Sequence, residues 1–165
     1  MITGRQRDLN RPVLGRMDQK AFGIAVHGQL ARIRHAGDVE RIVGQPWPWT
    51  KCCEDDWKRV VSAVQNVVAD PVMSAWFDGS GDVHNERELV GIKGEIVRPD
   101  RVVFQTNRVD VIDFKTAHGP NEKQRKKDAD QVRGYMNAIA QQEQREVRGF
   151  VFYCDAGECV EVSVV

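Results

Sequence analysis

The segment from Pro99 to Lys115 holds the residue types best suited to chemistry. Asp113 and Lys115 stand two positions apart in a mainly apolar run that predicts a buried strand, so both side chains leave the same face. A carboxylate and an ammonium group at the end of such a strand are costly to bury unless each has a partner. Asp100 lies on the preceding predicted strand, and a hairpin over the twelve intervening residues would return it to the neighbourhood of Asp113.

Two carboxylates that face each other repel, and a hard divalent cation relieves that repulsion. Mg²⁺ takes about six oxygens, commonly only one or two from protein carboxylates, with water and substrate phosphate completing the shell. A bound Mg²⁺ would polarise a scissile phosphate and lower the pKa of a bound water, and a second ion could stabilise the leaving oxygen. Lys115 would orient that water or neutralise charge in the transition state. The alternative is an exposed Asp–Lys pair without chemistry, which the tripeptide alone favours.

Helices are predicted on the N-terminal side of this region. The segment DVERIV predicts a short helix, residues 54–69 a longer one with an apolar face, and PVMSAWF a helical turn. Two prolines make GQPWPWT a loop. Before these, one stripe of an amphipathic helix is formed by apolar residues at steps of four, four and three: Phe22, Val26, Leu30 and Ile33.

After Gly81 the hydrophobic period changes from that of a helix to that of a strand. Extended runs are predicted at 86–92, 94–104 and 108–114, with QTN as a hairpin turn. A lysine-rich stretch, AHGPNEKQRKK, precedes a long helix predicted over 128–143, and two strands around a turn at 155–157 close the chain. This order predicts an α/β or α+β fold in which a central mixed β-sheet is flanked by helices.

Length and composition predict an ordinary globular chain. With 165 residues, 41% hydrophobic and 29% charged, we expect a lead-in or linker over 1–15 and one domain over 16–165. Lys plus Arg equals Asp plus Glu, at 24 each, so a nucleic-acid role must rest on local clusters. No apolar run could span a membrane and no secretory signal is evident, which predicts a cytoplasmic protein. The cysteines are interpreted as free, inert thiols: Cys52, Cys53, Cys154 and Cys159.

Pro99–Asp100 followed by Asp113–Lys115 resembles the signature of the PD-(D/E)XK nucleases. More specifically, RPDRVVF…RVDVIDFKT…QVRGY resembles the RecB/AddA-type nuclease domain at the C-terminus of UvrD-like helicases. That family's Q-x-x-x-Y helix is matched by Gln131 and Tyr135, and its upstream G-x-x-x-H pattern by Gly23 and His27. The closing segment VRGFVFYCDAGECVEV resembles the family's terminal hairpin. The resemblance covers about residues 20–165 and implies a restriction-endonuclease-like core.

The resemblance also implies roles for individual residues. Asp100 and Asp113 would ligate Mg²⁺, with Mn²⁺ able to substitute, and the Phe114 backbone carbonyl and His27 would approach the same ion. Lys115 would be the catalytic lysine. Supporting roles, in the site or against the DNA backbone, are implied for Gln131, Tyr135 and a first-strand glutamate, Glu86, although Glu88 points the same way. Some relatives hold an iron–sulfur cluster with one cysteine upstream of the site and three after the last helix. Here two cysteines precede the site and two follow that helix, so no cluster is expected.

Simpler interpretations stand beside these roles. His27 could be a boundary residue of the helical layer, and Gln131 and Tyr135 could be ordinary helix-surface residues. Trp47 and Trp49 are interpreted as a packed loop anchor rather than a base-stacking pair. A basic cluster could hold the phosphates of a single strand or form a solvated loop; it consists of Lys123, Arg125, Lys126 and Lys127. The same two interpretations apply to Arg98, Arg101 and Arg108.

The function predicted from these features is a Mg²⁺-dependent DNA nuclease of a helicase–nuclease recombination or repair system, acting on single strands or from an end. A helicase motor would lie in the same or a separate polypeptide. One alternative is a catalytically silent nuclease-fold module that binds DNA or a protein. Another is a stand-alone exonuclease or structure-specific nuclease of the same fold. Fold alone does not settle the substrate.

Overall fold

A computed structural model describes residues 16–45, 52–116 and 119–163 of the chain. Asp18 caps the first helix by accepting a hydrogen bond from the Ala21 backbone N–H at 2.7 Å. Asn121 caps the last helix in the same way through the Gln124 N–H at 2.9 Å. The helices are α1 (Gln19–Leu30), a 3₁₀ turn (Ala36–Asp38), α2 (Val39–Val43), α3 (Glu54–Ala69), α4 (Ser74–Phe77) and α5 (Glu122–Ala140).

Seven strands form two sheets in the described part of the chain. They are β1 (Asp82–Asn85), β2 (Leu89–Val90), β3 (Ile96–Val97), β4 (Arg101–Phe104), β5 (Arg108–Lys115), β6 (Glu146–Tyr153) and β7 (Glu158–Val162). The main sheet has the order β1-β4-β5-β6-β7, in which β5 and β6 are parallel and the other neighbours antiparallel. Strands β2 and β3 pair separately as a small antiparallel hairpin. The predicted mixed sheet flanked by helices is confirmed.

Each face of the main sheet carries its own apolar core. Ile112 and Phe114 of β5 pack with the helical layer of α1 to α4. Val109 and Val111 of the same strand pack instead with α5. Because side chains alternate along a strand, Asp113 and Lys115 fall on the α5 face. Helix α5 is also the crossover between the parallel strands β5 and β6, so it necessarily runs beside these two residues.

Several predicted elements are confirmed with small changes of boundary. The predicted stripe of the first helix is buried, with Val26 and Ile33 fully so. Helix α3 has the predicted bounds, and both the turn between β4 and β5 and the closing hairpin lie where predicted. The two predicted strands over 86–92 and 94–104 are too long: the first contains only β2 as paired strand, and the second divides into β3 and β4. Strand β1 was missed, because it is short and polar and only Val83 of its four residues is buried.

The start of the last helix is a second correction. Helix α5 begins at Glu122, six residues before the predicted start at Asp128. Residues 122–127 are polar and mostly exposed, so they carry no apolar periodicity that could have revealed a helix. The basic cluster therefore lies on the first turns of α5 and is not a loop.

Some expectations fall outside the described residues, namely the lead-in at 1–15 and the pair Trp47 and Trp49. Within the described residues, no helix combines the length and apolar character needed to cross a membrane. Burial raises the pKa of Cys154 to about 12 and that of Cys159 to about 11, so both remain thiols at neutral pH, as expected of inert cysteines.

Candidate active site

The C-terminal end of β5 brings a carboxylate, Asp113, and an ammonium group, Lys115, together on the α5 face of the sheet. The side chain of Asp113 is 3% exposed, and Lys115 Nζ lies 2.7 Å from Asp113 Oδ2. The contact is an ion pair, and no other donor among the described residues reaches this oxygen. Among the side chains of the described residues, Asp113 Oδ2 is the buried oxygen or nitrogen left without a hydrogen-bond partner.

Asp100 lies immediately before β4, and the β4–β5 hairpin brings it to the same place. Arg101 is paired with Ile112 in this hairpin, so Asp100 is level with Asp113. Asp100 Oδ2 accepts a hydrogen bond from the Phe114 backbone N–H at 2.8 Å. Burial raises the pKa of Asp113 to about 6, and the negative charge of Asp100 acts in the same direction, while Lys115 opposes it. The two acids therefore interact across one cleft.

Helix α1 contributes His27 from the other layer. His27 Nδ1 lies 3.3 Å from Asp100 Oδ1, and its ring meets the edge of the Phe114 ring at a centroid distance of 6.4 Å. Burial lowers the pKa of His27, but hydrogen bonding to Asp100 and the charges of both acids outweigh it, so the pKa lies above its ordinary value. The site thus draws on both layers that flank the sheet.

Gly23 explains how α1 comes so close to the strand end. A Cβ atom at this position would lie 2.7 Å from Thr116 Oγ1, just after β5. A hydrogen atom in its place allows the helix to lie against the chain at this point. The spacing of Gly23 and His27, four residues apart, then directs the histidine from the next turn of the same helix face into the cleft.

Glu86 directly follows β1 and is held in an unusual backbone conformation. Its φ of 53° lies in the left-handed region, which costs a non-glycine residue of order 1–3 kcal/mol. Its N–H donates to the Asp100 carbonyl at 3.0 Å, and its carboxylate pairs with Arg98 Nε at 2.8 Å. Glu86 is therefore beyond the first strand rather than on it, while Glu88, the other candidate, is exposed and outside the cleft.

The donor atoms of this cleft fit a divalent cation. His27, Glu86 and Asp100 each offer one ligand atom, and these three atoms lie within 4.8 Å of one another. Asp113 faces the same cleft with an oxygen that lacks a hydrogen-bond donor. Two or three carboxylates with room for water and phosphate oxygens suit a hard cation such as Mg²⁺. The predicted contact through the Phe114 carbonyl stays a prediction.

Helix α5 supplies the residues that surround Lys115. Gln131 Oε1 accepts from Lys115 Nζ at 2.9 Å, and Gln131 Nε2 donates to the Tyr135 hydroxyl at 2.5 Å. Burial raises the pKa of Tyr135 to about 12, with the charge of Asp113 acting in the same direction, so the phenol is neutral at pH 7. Gln131 and Tyr135, one turn apart, thus form a chain of contacts that ends on the lysine.

Asp128 is a residue of this site that the sequence analysis missed. It is buried one turn before Gln131, and its Oδ1 lies 3.9 Å from Lys115 Nζ. Gln124 Nε2 donates to its carboxylate at 2.8 Å and the Tyr153 hydroxyl at 3.2 Å. The available signal was its spacing of three from Gln131, which puts both on one helix face.

The basic residues predicted as DNA contacts divide into two groups. Lys123, Lys126 and Lys127 are exposed on α5, whereas Arg125 pairs with Glu158 at 2.7 Å. Arg98 lines the cleft. Arg101 and Arg108 are tied up elsewhere, because Arg101 is 1% exposed and Arg108 pairs with the buried Asp110. A DNA contact by Arg101 is excluded by that burial.

The cleft has a volume of about 480 Å³ and is open to solvent. It lies where β4 begins and the central strand β5 ends, between α1 and α5. Its lining includes Gly23, His27, Glu86, Arg98, Asp100, Asp113, Lys115, Gln131 and Tyr135. The predicted catalytic, metal-ligating and supporting side chains are thus neighbours in one cleft, whereas the basic cluster of α5 is not part of its lining.

Fold and cleft together define a protein with a restriction-endonuclease-like core and an acid-rich cleft next to a lysine. The sequence model of the PD-(D/E)XK nuclease superfamily matches residues 4–162, nearly the whole chain, so the chain belongs to this superfamily. Comparison with curated proteins returns no match. Membership indicates a nuclease-type fold, in a group whose members are generally hydrolases that use divalent metal ions.

Proposed function

We propose that this chain is a Mg²⁺-dependent DNA nuclease that hydrolyses phosphodiester bonds in the cleft between α1 and α5. The observation that carries the proposal is that Asp113 and Asp100, from neighbouring strands, face one open cleft beside Lys115. Apart from its ion pair with Lys115, the buried Asp113 oxygen Oδ2 has no donor among the described residues, which supports a further, positively charged partner at this position. Superfamily membership supports the same activity.

His27, Glu86, Asp100 and Asp113 would hold the cation. When bound, a divalent cation supplies the positive charge that polarises the phosphodiester and lowers the pKa of water. Two or more carboxylates without that charge would repel the phosphate. The acids therefore make the site selective for a phosphate that arrives together with a cation.

Lys115 would act on the attacking water or on the charge that develops on the phosphate. Its ammonium group is held on one side by Asp113 and on the other by Gln131, at 2.7 and 2.9 Å. Gln131 accepts a hydrogen bond from Lys115 and so fixes its direction, and Tyr135 fixes the Gln131 amide in turn. A group that is oriented before the reaction stabilises developing charge without reorganising.

The substrate we propose is DNA, single-stranded or entered from an end, in a RecB/AddA-type helicase–nuclease system. The sequence match to RPDRVVF, VIDFKT and QVRGY supports this placement. Exposed Lys123, Lys126 and Lys127 on α5 would attract the phosphates of an incoming strand. Lys123 lies in the first turn of a helix, where a positive charge is unfavourable, so a binding role would offset a structural cost.

Cleavage of end-labelled oligonucleotides tests the proposal. The purified chain is incubated with single-stranded and duplex DNA labelled at the 5′ or 3′ end, with Mg²⁺, with Mn²⁺, and with chelator. We expect metal-dependent shortening of the single strand, and the order in which products form gives the polarity. Asp113→Asn purified in parallel measures contaminating nuclease.

Cleavage no greater than that of Asp113→Asn on every substrate would contradict the proposal. If DNA then still bound with a strong salt dependence, the chain would be a catalytically silent nuclease-fold module. Internal cuts in circular single strands would correct the mode from exonucleolytic to endonucleolytic and leave the chemistry unchanged.

A further inference from the structure

Arg101 is a buried cation with an unusual set of partners. It is 1% exposed, and its guanidinium lies 3.9 Å from the centroid of the Phe77 ring. Its five hydrogen bonds go to uncharged acceptors, at 2.5–3.1 Å: the carbonyls of Ile33, Arg34 and Trp76, and the Asn85 side-chain oxygen. No carboxylate of the described residues pairs with it. Burial lowers its pKa to about 9, with Arg34 adding to the effect, so it is charged at neutral pH.

Asn85 completes the same network from the end of β1. Its Nδ2 donates to the Ala31 carbonyl at 2.9 Å and to the Ile33 carbonyl at 3.0 Å, while its Oδ1 accepts from Arg101. Ala31 is the first residue after α1 and Ile33 lies two residues further on, where carbonyls have no partner within the helix. A cation at the C-terminal end of a helix is also favourable for the helix dipole. Arg101 and Asn85 thus cap α1 from the sheet.

Arg101 and Asn85 are each adjacent in the chain to a possible cation ligand. Arg101 follows Asp100, and Asn85 precedes Glu86. The first of the carbonyls that they hold belongs to Ala31, four residues and one helical turn after His27. The network therefore joins the three segments that carry the 4.8 Å cluster of possible cation ligands, at a distance of one residue or one turn from each ligand.

We propose that Arg101 and Asn85 are positioning residues, which hold the end of α1 against the ends of β1 and β4 so that His27, Glu86 and Asp100 can share one cation. The proposal rests on the metal-dependent function proposed above. An apolar side chain could fill the space of Arg101 with less desolvation, but it would leave several buried carbonyls without donors. The fork of the guanidinium can serve acceptors from three segments at once, which an ammonium group cannot do in the same geometry.

Direct measurement of metal binding and of backbone protection tests the proposal. Mn²⁺ affinity is measured by electron paramagnetic resonance on Asn85→Ala, Arg101→Lys and Val162→Ala. The last variant shortens a buried side chain on β7, away from the network, and controls for a general loss of stability. We expect Mn²⁺ to bind 10- to 100-fold more weakly to the two network variants than to the wild type. The Mn²⁺ affinity of the Val162→Ala control should stay within about twofold of that of the wild type. Raising Mn²⁺ should restore much of their kcat.

Amide hydrogen exchange supplies a readout that needs no metal. The Glu86 N–H donates to the Asp100 carbonyl, and the Phe114 N–H to the Asp100 carboxylate. We expect both amides to exchange faster in Asn85→Ala and Arg101→Lys, by about tenfold or more relative to Val162→Ala.

Two results would overturn the positioning role. One is unchanged exchange of both amides together with unchanged Mn²⁺ affinity in the network variants. The other is an equal loss in Val162→Ala. If the wild type binds no Mn²⁺ at all, the proposed nuclease function fails, while the exchange rates still decide whether the network positions Asp100. Asn85→Ala keeps the test open if Arg101→Lys does not fold.

Discussion

Asp110 and Asp113 are both buried on strand β5, yet their side chains point to opposite faces of the sheet. Asp110 is fully hydrogen-bonded: it accepts from the Trp76 indole at 2.9 Å, from Arg148 at 2.9 Å and from Arg108 at 3.2 Å. Asp113 Oδ2 has an ion pair with Lys115 and no further donor among the described residues. The first carboxylate is satisfied by the fold, and the second is available to a ligand.

This difference predicts opposite effects for the same substitution. Asp113→Asn should reduce metal-dependent DNA cleavage by about a hundredfold or more. It should also raise the melting temperature of the metal-free protein, because it removes the repulsion between the buried Asp113 carboxylate and the half-buried Asp100 carboxylate next to it. Asp110→Asn should cost about 2 kcal/mol of unfolding free energy and leave kcat unchanged. Thermal melts with excess chelator measure the stability of the two variants, and cleavage rates at saturating Mg²⁺ measure their kcat. A loss of stability in Asp113→Asn would show that this carboxylate has a structural role.

Gln131 is expected to act through Lys115. Gln131→Leu removes the acceptor that fixes the ammonium group, and we expect kcat to fall about 10- to 100-fold with Mn²⁺ affinity unchanged. Gln124→Leu, on the same helix, removes a donor to Asp128 and should have a smaller effect on kcat. Single-turnover cleavage at saturating metal measures the chemical step. An equal kcat for Gln131→Leu and the wild type would make this residue an ordinary part of the helix surface.

Gly23 and Gly28 form a matched pair on α1. A Cβ atom at Gly23 would meet Thr116 Oγ1 at 2.7 Å, whereas at Gly28 no atom of the described residues lies within 4 Å. Gly23→Ala should therefore push α1 from β5 and weaken Mn²⁺ binding through His27, and Thr116→Ala in the same chain should restore part of it. Gly28→Ala should leave Mn²⁺ affinity intact and stabilise the helix by roughly 0.5–1 kcal/mol. Isothermal titration calorimetry checks this, and equal affinities for both alanine variants would refute the close-approach argument.

The lysines of α5 are expected to affect binding rather than chemistry. Lys126→Gln with Lys127→Gln should reduce the slope of log K against log salt for single-stranded DNA by roughly 1 to 1.5, at about 0.7 per phosphate contact. Arg41→Gln with Lys58→Gln removes the same charge from α2 and α3 and should change the slope little. Fluorescence anisotropy over a salt series measures both. An unchanged slope in the α5 variant would show that these lysines only solvate the helix.

Asp38 predicts a pH dependence of stability away from the cleft. Its pKa is lowered to about 2, first by the Arg41 guanidinium at 2.7 Å and then by backbone N–H donors at Arg34 and His35. Because the pKa of Asp38 is lower in the folded protein than in the unfolded chain, where it is near 4, the ionised carboxylate stabilises the fold above about pH 4. This stabilisation is lost as the pH falls towards 2. Asp38→Asn should therefore lower the melting temperature at pH 7, with a difference that narrows below pH 4. A constant difference would contradict this origin. Glu88→Gln, at an exposed site, is the control.

The parts of the site that follow from local pattern could be predicted from the sequence. The period of two in β5 puts Asp113 and Lys115 on one face, and the period of α5 does the same for Gln131 and Tyr135. The rest depends on contacts between distant segments. The left-handed backbone of Glu86 and the enclosure of Arg101 by carbonyls that follow α1 and by one of α4 have no local signature. Strand β1 and the first turns of α5 were missed because they are polar.

The hydrogen bond between Glu86 and Asp100 also fixes where the intervening chain leaves and rejoins the core. Residues 87–99, with the β2–β3 hairpin, form an excursion whose two ends meet at one point. Closing a longer loop between fixed ends costs free energy that grows only slowly with length. This excursion is therefore a natural place for an insertion, because a larger element here leaves the Glu86–Asp100 contact, and the acids on either side of it, in place.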